Sequence, residues 1–535
     1  MKRFFGVIFV LVLVFLLVAI GLPSPALAAT FTVNSNGDAT DWNPGDGVCE
    51  TAPGNGICTL RAAIQEANAL GGPDTINLPA GTYTLSIAGT GEDTAATGDL
   101  DIWNDLTITG TDQATTIIDG GGLDRVFQVH FCSLDISSVT VRNGNVAGSG
   151  GGIYNRGTLT LTKCIISGNT ASSWGGGGMY NYDSSAILTD CTFNNNSAKI
   201  GGGMFNEESS PIVTNCTFSG NSATWDGGGM SNNYNSSPTV TDCNFSSNSA
   251  DGNGGGMRNL YSSPILTDCT FSGNSASMGS GIYNYVSSPV VTNCRFLENS
   301  AENGGGMCNF TSSPTVTNCT FSGNSAYWGG GGMYNGDSSP TVINCIFSNN
   351  SVSWNGGGMQ NHESSPTITN CTFSRNLASI GGSGMSNRES SPAITNCILW
   401  DNGDEIDGII LTTVTYSDIQ GGYSGEGNIN SDPMFVNSAA NNYHLQWDSP
   451  CIDTGTNVGA PTEDIEGTPR PIDGDGDGTT TTDMGAYEYL PPAPIVGGTV
   501  VQEEMLEVLM PWLGLAGAIV LITILWMVVR RRTAH

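Results

Sequence analysis

The sequence predicts an all-β fold, a parallel β-helix with a short capping helix near the N-terminus and a single C-terminal transmembrane helix. Two observations carry the solenoid. A unit with a Cys and an Asn five residues later recurs ten times, and in nine of them a second Asn follows beyond a Gly-rich stretch. Its cysteines fall at Cys164, Cys191, Cys216, Cys243, Cys269, Cys294, Cys319, Cys345, Cys371 and Cys397, in steps of 25 to 27 residues. A period of that length marks a repeat array. The best-formed copy, Ser312 to Asn335, is dominated by Gly, Ser, Thr and Asn, which are poor helix formers, with Pro314 near its start. Its apolar sites alternate: Cys319 and Phe321 point one way and Thr320 the other, and the position after Cys is elsewhere Asn244, Arg295 or Ile346, which places it toward solvent.

The elements follow in chain order. Residues 1–29 read as a signal peptide: Met1-Lys2-Arg3, an apolar run from Phe4 to Leu22, and the small-x-small box Ala26-Leu27-Ala28. Residues 30–95 read as an N-terminal cap, because a solenoid must cover its terminal coil. It contains an amphipathic helix over 58–68 with Leu60, Ile64 and Ala67 on one side. Cys49 and Cys58 flank a Gly-rich loop just before that helix and are expected to pair. Residues 96–403 form the β-helix, regular from about 150.

Each turn is expected to hold three strands. A corner falls at the residue before Cys, which is Asn or Asp in nine copies and Lys163 in the tenth, since Asn and Asp tolerate the left-handed conformation. A second strand ends near the Asn five residues after Cys, and a third contains Gly-Gly-Gly-Met-x-Asn. Stacking then turns equivalent positions into ladders: Phe193 through Phe373 inside, and two Asn ladders that satisfy turn amides.

Residues 404–489 read as a C-terminal cap and 490–509, with Pro491, Pro492 and Pro494, as a linker. Residues 510–529 are uncharged and long enough to span a bilayer, and the tail 530–535 begins with Arg530-Arg531-Arg532. The expected location is the cell surface, extracytoplasmic and anchored by that helix.

A formal charge of -32, with Lys only at 2, 163 and 199, argues against nucleic acid as a partner and leaves divalent cations as natural counterions. Fifteen Cys in an exported chain invite disulfides. In-register strands, however, hold neighbouring β-carbons about 4.8 Å apart, beyond the usual disulfide range of about 3.5–4.5 Å. The ladder cysteines are therefore expected to stay reduced and act as small hydrophobes.

Three segments carry family resemblances. Cys58-Thr59-Leu60-Arg61-Ala62-Ala63-Ile64 resembles the CSLREAI-type N-terminal segment of bacterial secreted β-helix proteins, with Ala62 where that pattern has Glu. Phe218-Ser219-Gly220-Asn221 and its counterparts, with Gly-Gly-Gly-Met, resemble the repeats of the polymorphic outer-membrane protein family. That family ends in a membrane β-barrel, whereas this chain ends in an apolar run. Ser431 to Val436, Ser449 to Asp453 and Asp483 to Glu488 resemble a choice-of-anchor segment. Together these imply a right-handed parallel β-helix at the cell surface and, by analogy, adhesion.

Candidate chemistry lies where the repeat is broken. Trp174, Trp225, Trp328 and Trp354 sit in the variable turn before Gly-Gly-Gly, and Tyr180 and Tyr334 follow Met. Exposed aromatics at coil spacing suit sugar stacking, against a plainer reading as self-stacking between coils. His362, Glu363, Arg388 and Glu389 occupy corresponding places in adjacent coils and form the best acid, base and cation grouping that breaks the repeat. Asp473, Asp475 and Asp477 alternate with Gly as in a calcium loop, although Met484 stands where an EF-hand needs its final acid. The expected function is adhesion or glycan binding to a glycan or a host or neighbour cell-surface component. The alternatives are a polysaccharide lyase or glycoside hydrolase and a passive spacer.

Overall fold

In the computed structural model, residues 28–408 and 412–492 are described. The expected signal peptide lies almost wholly outside them, and most of the linker, the transmembrane segment and the basic tail lie wholly outside. Among the described residues no helix is long and apolar enough to cross a membrane.

Three parallel sheets of 15, 14 and 13 strands run the length of the solenoid. Within the coil around Cys319, the first sheet takes Thr315–Thr317, the second Thr320–Ser322 and the third Met333–Gly336. Equivalent residues pair in register from coil to coil, as Phe296 with Phe321 with Phe347. Every residue before a ladder Cys, from Lys163 and Asp190 through Asn318 to Asn396, has φ between +51° and +57°. Lys163 adopts the corner like the rest, so the coil imposes the conformation and Asn or Asp only lowers its cost.

A fourth short side, absent from the three-strand expectation, forms in two blocks. Five strands run from Asn145–Val146 to Ser249–Ala250 and four from Ser300–Asn303 to Leu377–Ala378. It follows the Asn ladder, where Ala171, Ala198, Ala223 and Ala326 turn inward and are buried. Strand pairing of the variable turn thus uses an Ala position already visible in the repeat.

The interior is stacked side chains. Adjacent rings from Phe193 to Phe373 lie 4.5 to 5.2 Å apart and within 10° of parallel. Asn324 shows how an Asn ladder closes its polar inventory: its Nδ2 donates to Asn350 Oδ1 and to the Phe296 carbonyl, each at 2.9 Å, while its Oδ1 accepts the Asn299 amide. The second ladder links Asn335 Nδ2 to Asn361 Oδ1 at 2.9 Å. A third polar ladder was not anticipated: the first Ser of each Ser-Ser-Pro is buried and accepts the amide of its predecessor, as Ser312 N donates to Ser338 Oγ at 2.9 Å. Gly331 has no room for a side chain, since a β-carbon would meet Gly357 O at 2.5 Å.

The ladder cysteines are buried and free, and Cys49 and Cys58 are bonded. The thiols are more than small hydrophobes. Cys294 N donates to Cys319 Sγ at 3.3 Å and Cys319 Sγ donates to Thr317 O at 3.1 Å, which satisfies the amide left unpaired by the corner. Burial raises the Cys319, Cys345 and Cys371 thiols well above their ordinary range.

At the front, the helix Leu60–Ala69 is capped by Thr59, whose side chain accepts the Ala62 amide. Leu60, Ala63, Ile64 and Ala67 close the core. Coiling begins at Asp74–Leu78, which pairs with Thr30–Thr32 on one side and Leu106–Gly110 on the other. At the far end, the segment after Ser431 folds back along the outside of the second sheet: Ala486 N donates to Thr372 Oγ1 at 3.1 Å, and Asn344 Nδ2 to Glu463 O at 2.7 Å. Ile346, expected to face solvent, is therefore buried against Tyr443 and Ala486.

Candidate functional site

The outer face of the third sheet presents one side chain per coil, the residue after the ladder Met or its equivalent. In register these run Asp101, Gln128, Tyr154, Tyr180, Phe205, Ser231, Arg258, Tyr283, Cys308, Tyr334, Gln360, Ser386 and Asp407. Chain topology makes this row; the variable turn before it and the turn after it form two walls.

Over the last coils the walls stand apart and leave a groove of about 650 Å³. Its floor is Tyr334, Gln360, Ser386 and Asp407, one wall carries Trp328, Trp354 and Asn355, and the other His362, Arg388 and Glu389. The two indoles lie one coil apart with ring centroids 4.8 Å apart at 64°, and remain 43% and 42% exposed. Tyr327 meets Trp328 edge-on at 4.7 Å and braces it. Gln360 is tucked against Gly329, and its buried Oε1 has no hydrogen-bond partner. Burial raises the Tyr334 hydroxyl above the ordinary tyrosine range, so it faces the groove as a neutral donor. Arg388 and Glu389 approach to 3.8 Å with both side chains largely exposed, an arrangement that adds little stability and leaves both free to meet a ligand.

The groove thus joins two groups that the sequence left separate. Trp328, Trp354 and Tyr334 share it with His362, Arg388 and Glu389, while Glu363, exposed on a left-handed corner, is not among its lining residues. Trp174 and Trp225 are exposed farther along, with Lys199 in the coil between them placing its ammonium 5.2 Å from the Trp225 ring. Tyr180 is 5% exposed, packed against Ile200 and Phe205 with its hydroxyl on Glu207. The fourth side folds over the face there, so Tyr180 serves as packing and not as a ligand surface. The self-stacking reading holds for this stretch, where Tyr154, Tyr180 and Phe205 lie 5.2 Å apart in succession.

Two clusters among the described residues bring three metal-capable side chains together. One is Asp453, Asp473 and Asp475, so Asp453 stands where the sequence pattern had suggested Asp477. Asp477 instead accepts the Thr479 amide of its own loop at 2.7 Å. The partner lies 20 residues upstream of Asp473, and no local spacing rule reaches it. The other cluster, Asp93, Asp101 and His130, lies in the irregular first coils and was missed by repeat-based reading. The 27-residue step from Asp101 to Gln128 was the available signal.

A family model described as "Right handed beta helix region" matches residues 128–296 and 258–422, more than half of the chain. No curated protein matches the sequence. Among solved structures, the mannuronan C-5 epimerase AlgE4 A-module of Azotobacter vinelandii is 16% identical, with 71% of this chain and 98% of that chain covered and a TM-score of 0.33. Pectate lyase Pel9A is 12% identical, with 87% and 98% covered and a TM-score of 0.30. Pectin methylesterase PemA of Erwinia chrysanthemi is 11% identical, with 49% and 82% covered and a TM-score of 0.29. These likenesses are distant, and the fold rests on the chain's own strand register and on the family model.

Proposed function

From the premise that this chain belongs to the right-handed β-helix family, we propose that it is a cell-surface adhesion or glycan-binding protein that seats a linear glycan in the groove between Trp328, Trp354 and Arg388. The carrying observation is the exposed Trp328–Trp354 pair set one coil apart along the wall of the groove. Indole faces suit the apolar faces of sugar rings. Arg388 and His362 on the facing wall would orient an acidic or polar sugar.

The surface location is a proposal that rests on the sequence of 1–29 and 510–535 and on the likeness of the chain's segments to CSLREAI-type, polymorphic outer-membrane and choice-of-anchor segments. Calcium held by Asp473 and Asp475, with Asp453 as the third carboxylate, is likewise proposed as a stiffener of the C-terminal segment. The second reading is a polysaccharide lyase or hydrolase, favoured by His362, Arg388 and Glu389 lining the same groove. A glycan array probed with the exported region, beside a polysaccharide-degradation assay, separates them. Retention without turnover supports binding, turnover lost in Glu389→Gln supports the enzyme, and neither outcome leaves the solenoid a passive spacer.

A further inference from the structure

In the front coils a single imidazole nitrogen meets a carboxylate and a side-chain amide at once. His130 Nε2 lies 3.1 Å from Asp101 Oδ1, an acceptor, and 3.0 Å from the Gln128 side-chain nitrogen, a donor. One imidazole nitrogen either carries a proton or presents a lone pair. In the first case it opposes the Gln128 amide, and in the second it opposes the carboxylate. The same Gln128 nitrogen lies 3.4 Å from Asp93 Oδ1.

Turning the Gln128 amide by half a rotation, a choice that fits the same shape, places Oε1 where the nitrogen stands. With Nε2 unprotonated, ligand atoms of Asp93, Asp101 and His130 lie within 4.8 Å of one another and the Gln128 oxygen lies beside them. Like-polarity atoms so close repel unless a proton or a cation lies among them, and three of these groups are of the kinds that ligate metals. The three neighbouring pairs, Asp93–Gln128, Gln128–His130 and His130–Asp101, are spaced 3.0 to 3.4 Å, near the edge of a coordination shell, about 3.0 Å for six ligands at about 2.1 Å.

The surroundings hold Asp101 and His130 in place, while Asp93 is exposed. Asp101 is fully buried and His130 is 6% exposed. Asp101 spends its other oxygen on the Ala95 amide at 3.1 Å, leaving Oδ1 for the shared point. Trp103 stacks on the His130 ring at 3.8 Å and 5°, and its indole N–H donates to the Asp93 carbonyl at 2.6 Å, so one side chain fixes both the ring and the loop. Such outer partners are what a metal site needs.

We propose that Asp93, Asp101, Gln128 and His130 form a binding site for a divalent transition cation, Zn²⁺ or Mn²⁺. One imidazole nitrogen among oxygens suits that class better than Ca²⁺, which takes oxygen alone. The cation would clasp the 90–97 loop to two successive coils and so lock the front of the solenoid, at the opposite end of the same outer row from the aromatic groove.

The test is calorimetric titration of the purified full-length chain with Zn²⁺, Mn²⁺ and Ca²⁺ after chelator treatment. One equivalent of Zn²⁺ or Mn²⁺ should bind at micromolar concentration, weaken at least tenfold in His130→Ala and Asp101→Asn, and stay unchanged in Asp473→Asn. Gln128→Glu preserves shape and supplies a charged ligand, so it should tighten binding and enlarge the metal-induced rise in melting temperature. It also stands as the test if His130→Ala fails to fold. No equivalent that depends on His130, or weaker binding in Gln128→Glu, overturns the proposal.

Discussion

Replacing Cys319 tests how the corner amides of the solenoid are satisfied. The thiol accepts the Cys294 amide at 3.3 Å and donates to Thr317 O at 3.1 Å. Cys319→Ala strands a buried N–H, at a cost of about 1–3 kcal/mol, and adds a small void, for a total of about 2–4 kcal/mol. Cys319→Ser keeps both roles. The last coil already makes this exchange, since Ser417 Oγ accepts the Cys397 amide at 3.0 Å and donates to Thr415 O at 2.9 Å. Serine should therefore cost only about 1 kcal/mol, for exchanging sulfur for a more polar atom. Because a repeat array spreads local damage over many interfaces, the assay is hydrogen exchange at the Cys294 amide rather than a global melt. Alanine should speed exchange by roughly 30- to 700-fold and serine by less than about tenfold, at about 1.4 kcal/mol per decade. If serine proves as damaging as alanine or worse, the thiol is only an apolar filler and the hydrogen-bond account is wrong.

Other outcomes follow from the same structure. The double variant Trp328→Ala/Trp354→Ala should lose glycan retention at least tenfold with an unchanged circular dichroism spectrum, since both indoles are more than 40% exposed; full retention removes the groove as the ligand site. Burial pushes Glu405, which caps the end of the Asn ladder through Asn402, up to about 7, so its native form holds the proton more tightly than the unfolded chain. Its contribution to stability should be full below about pH 4.5 and fade as pH rises toward 7, and Glu405→Gln should flatten that slope in melts from pH 4 to 8. Calcium should raise the melting temperature of the C-terminal segment at millimolar concentration, and Asp453→Asn should reduce the rise more than Asp477→Asn, as read by calorimetry. The ladder thiols should react with a thiol reagent only after denaturation and without reductant, as counted by mass spectrometry.

The repeat made the interior legible. Phe321, Asn324, Asn335 and the corner at Asn318 could be placed from spacing alone, because coil stacking copies one residue's environment onto the next. The outside was less legible for the same reason: periodicity shows that a position points outward and does not show what lies over it. Tyr180 and Tyr334 hold the same register, yet the fourth side buries Tyr180 while Tyr334 floors a groove. Ile346 occupies a solvent position of the repeat and is covered by a segment about a hundred residues downstream.

By itself, then, the sequence determined the solenoid, its Phe and Asn ladders, its reduced cysteines and the Cys49–Cys58 bond, all consequences of contacts between neighbouring coils or within one loop. Tertiary structure alone decided which residues meet across turns of different length. It put Trp328 and Trp354 in one groove with Arg388, set Asp453 beside Asp473, and brought Asp93 to Asp101 and His130, because turn conformation and chain return are set by packing over the whole surface and leave no fixed interval in the sequence.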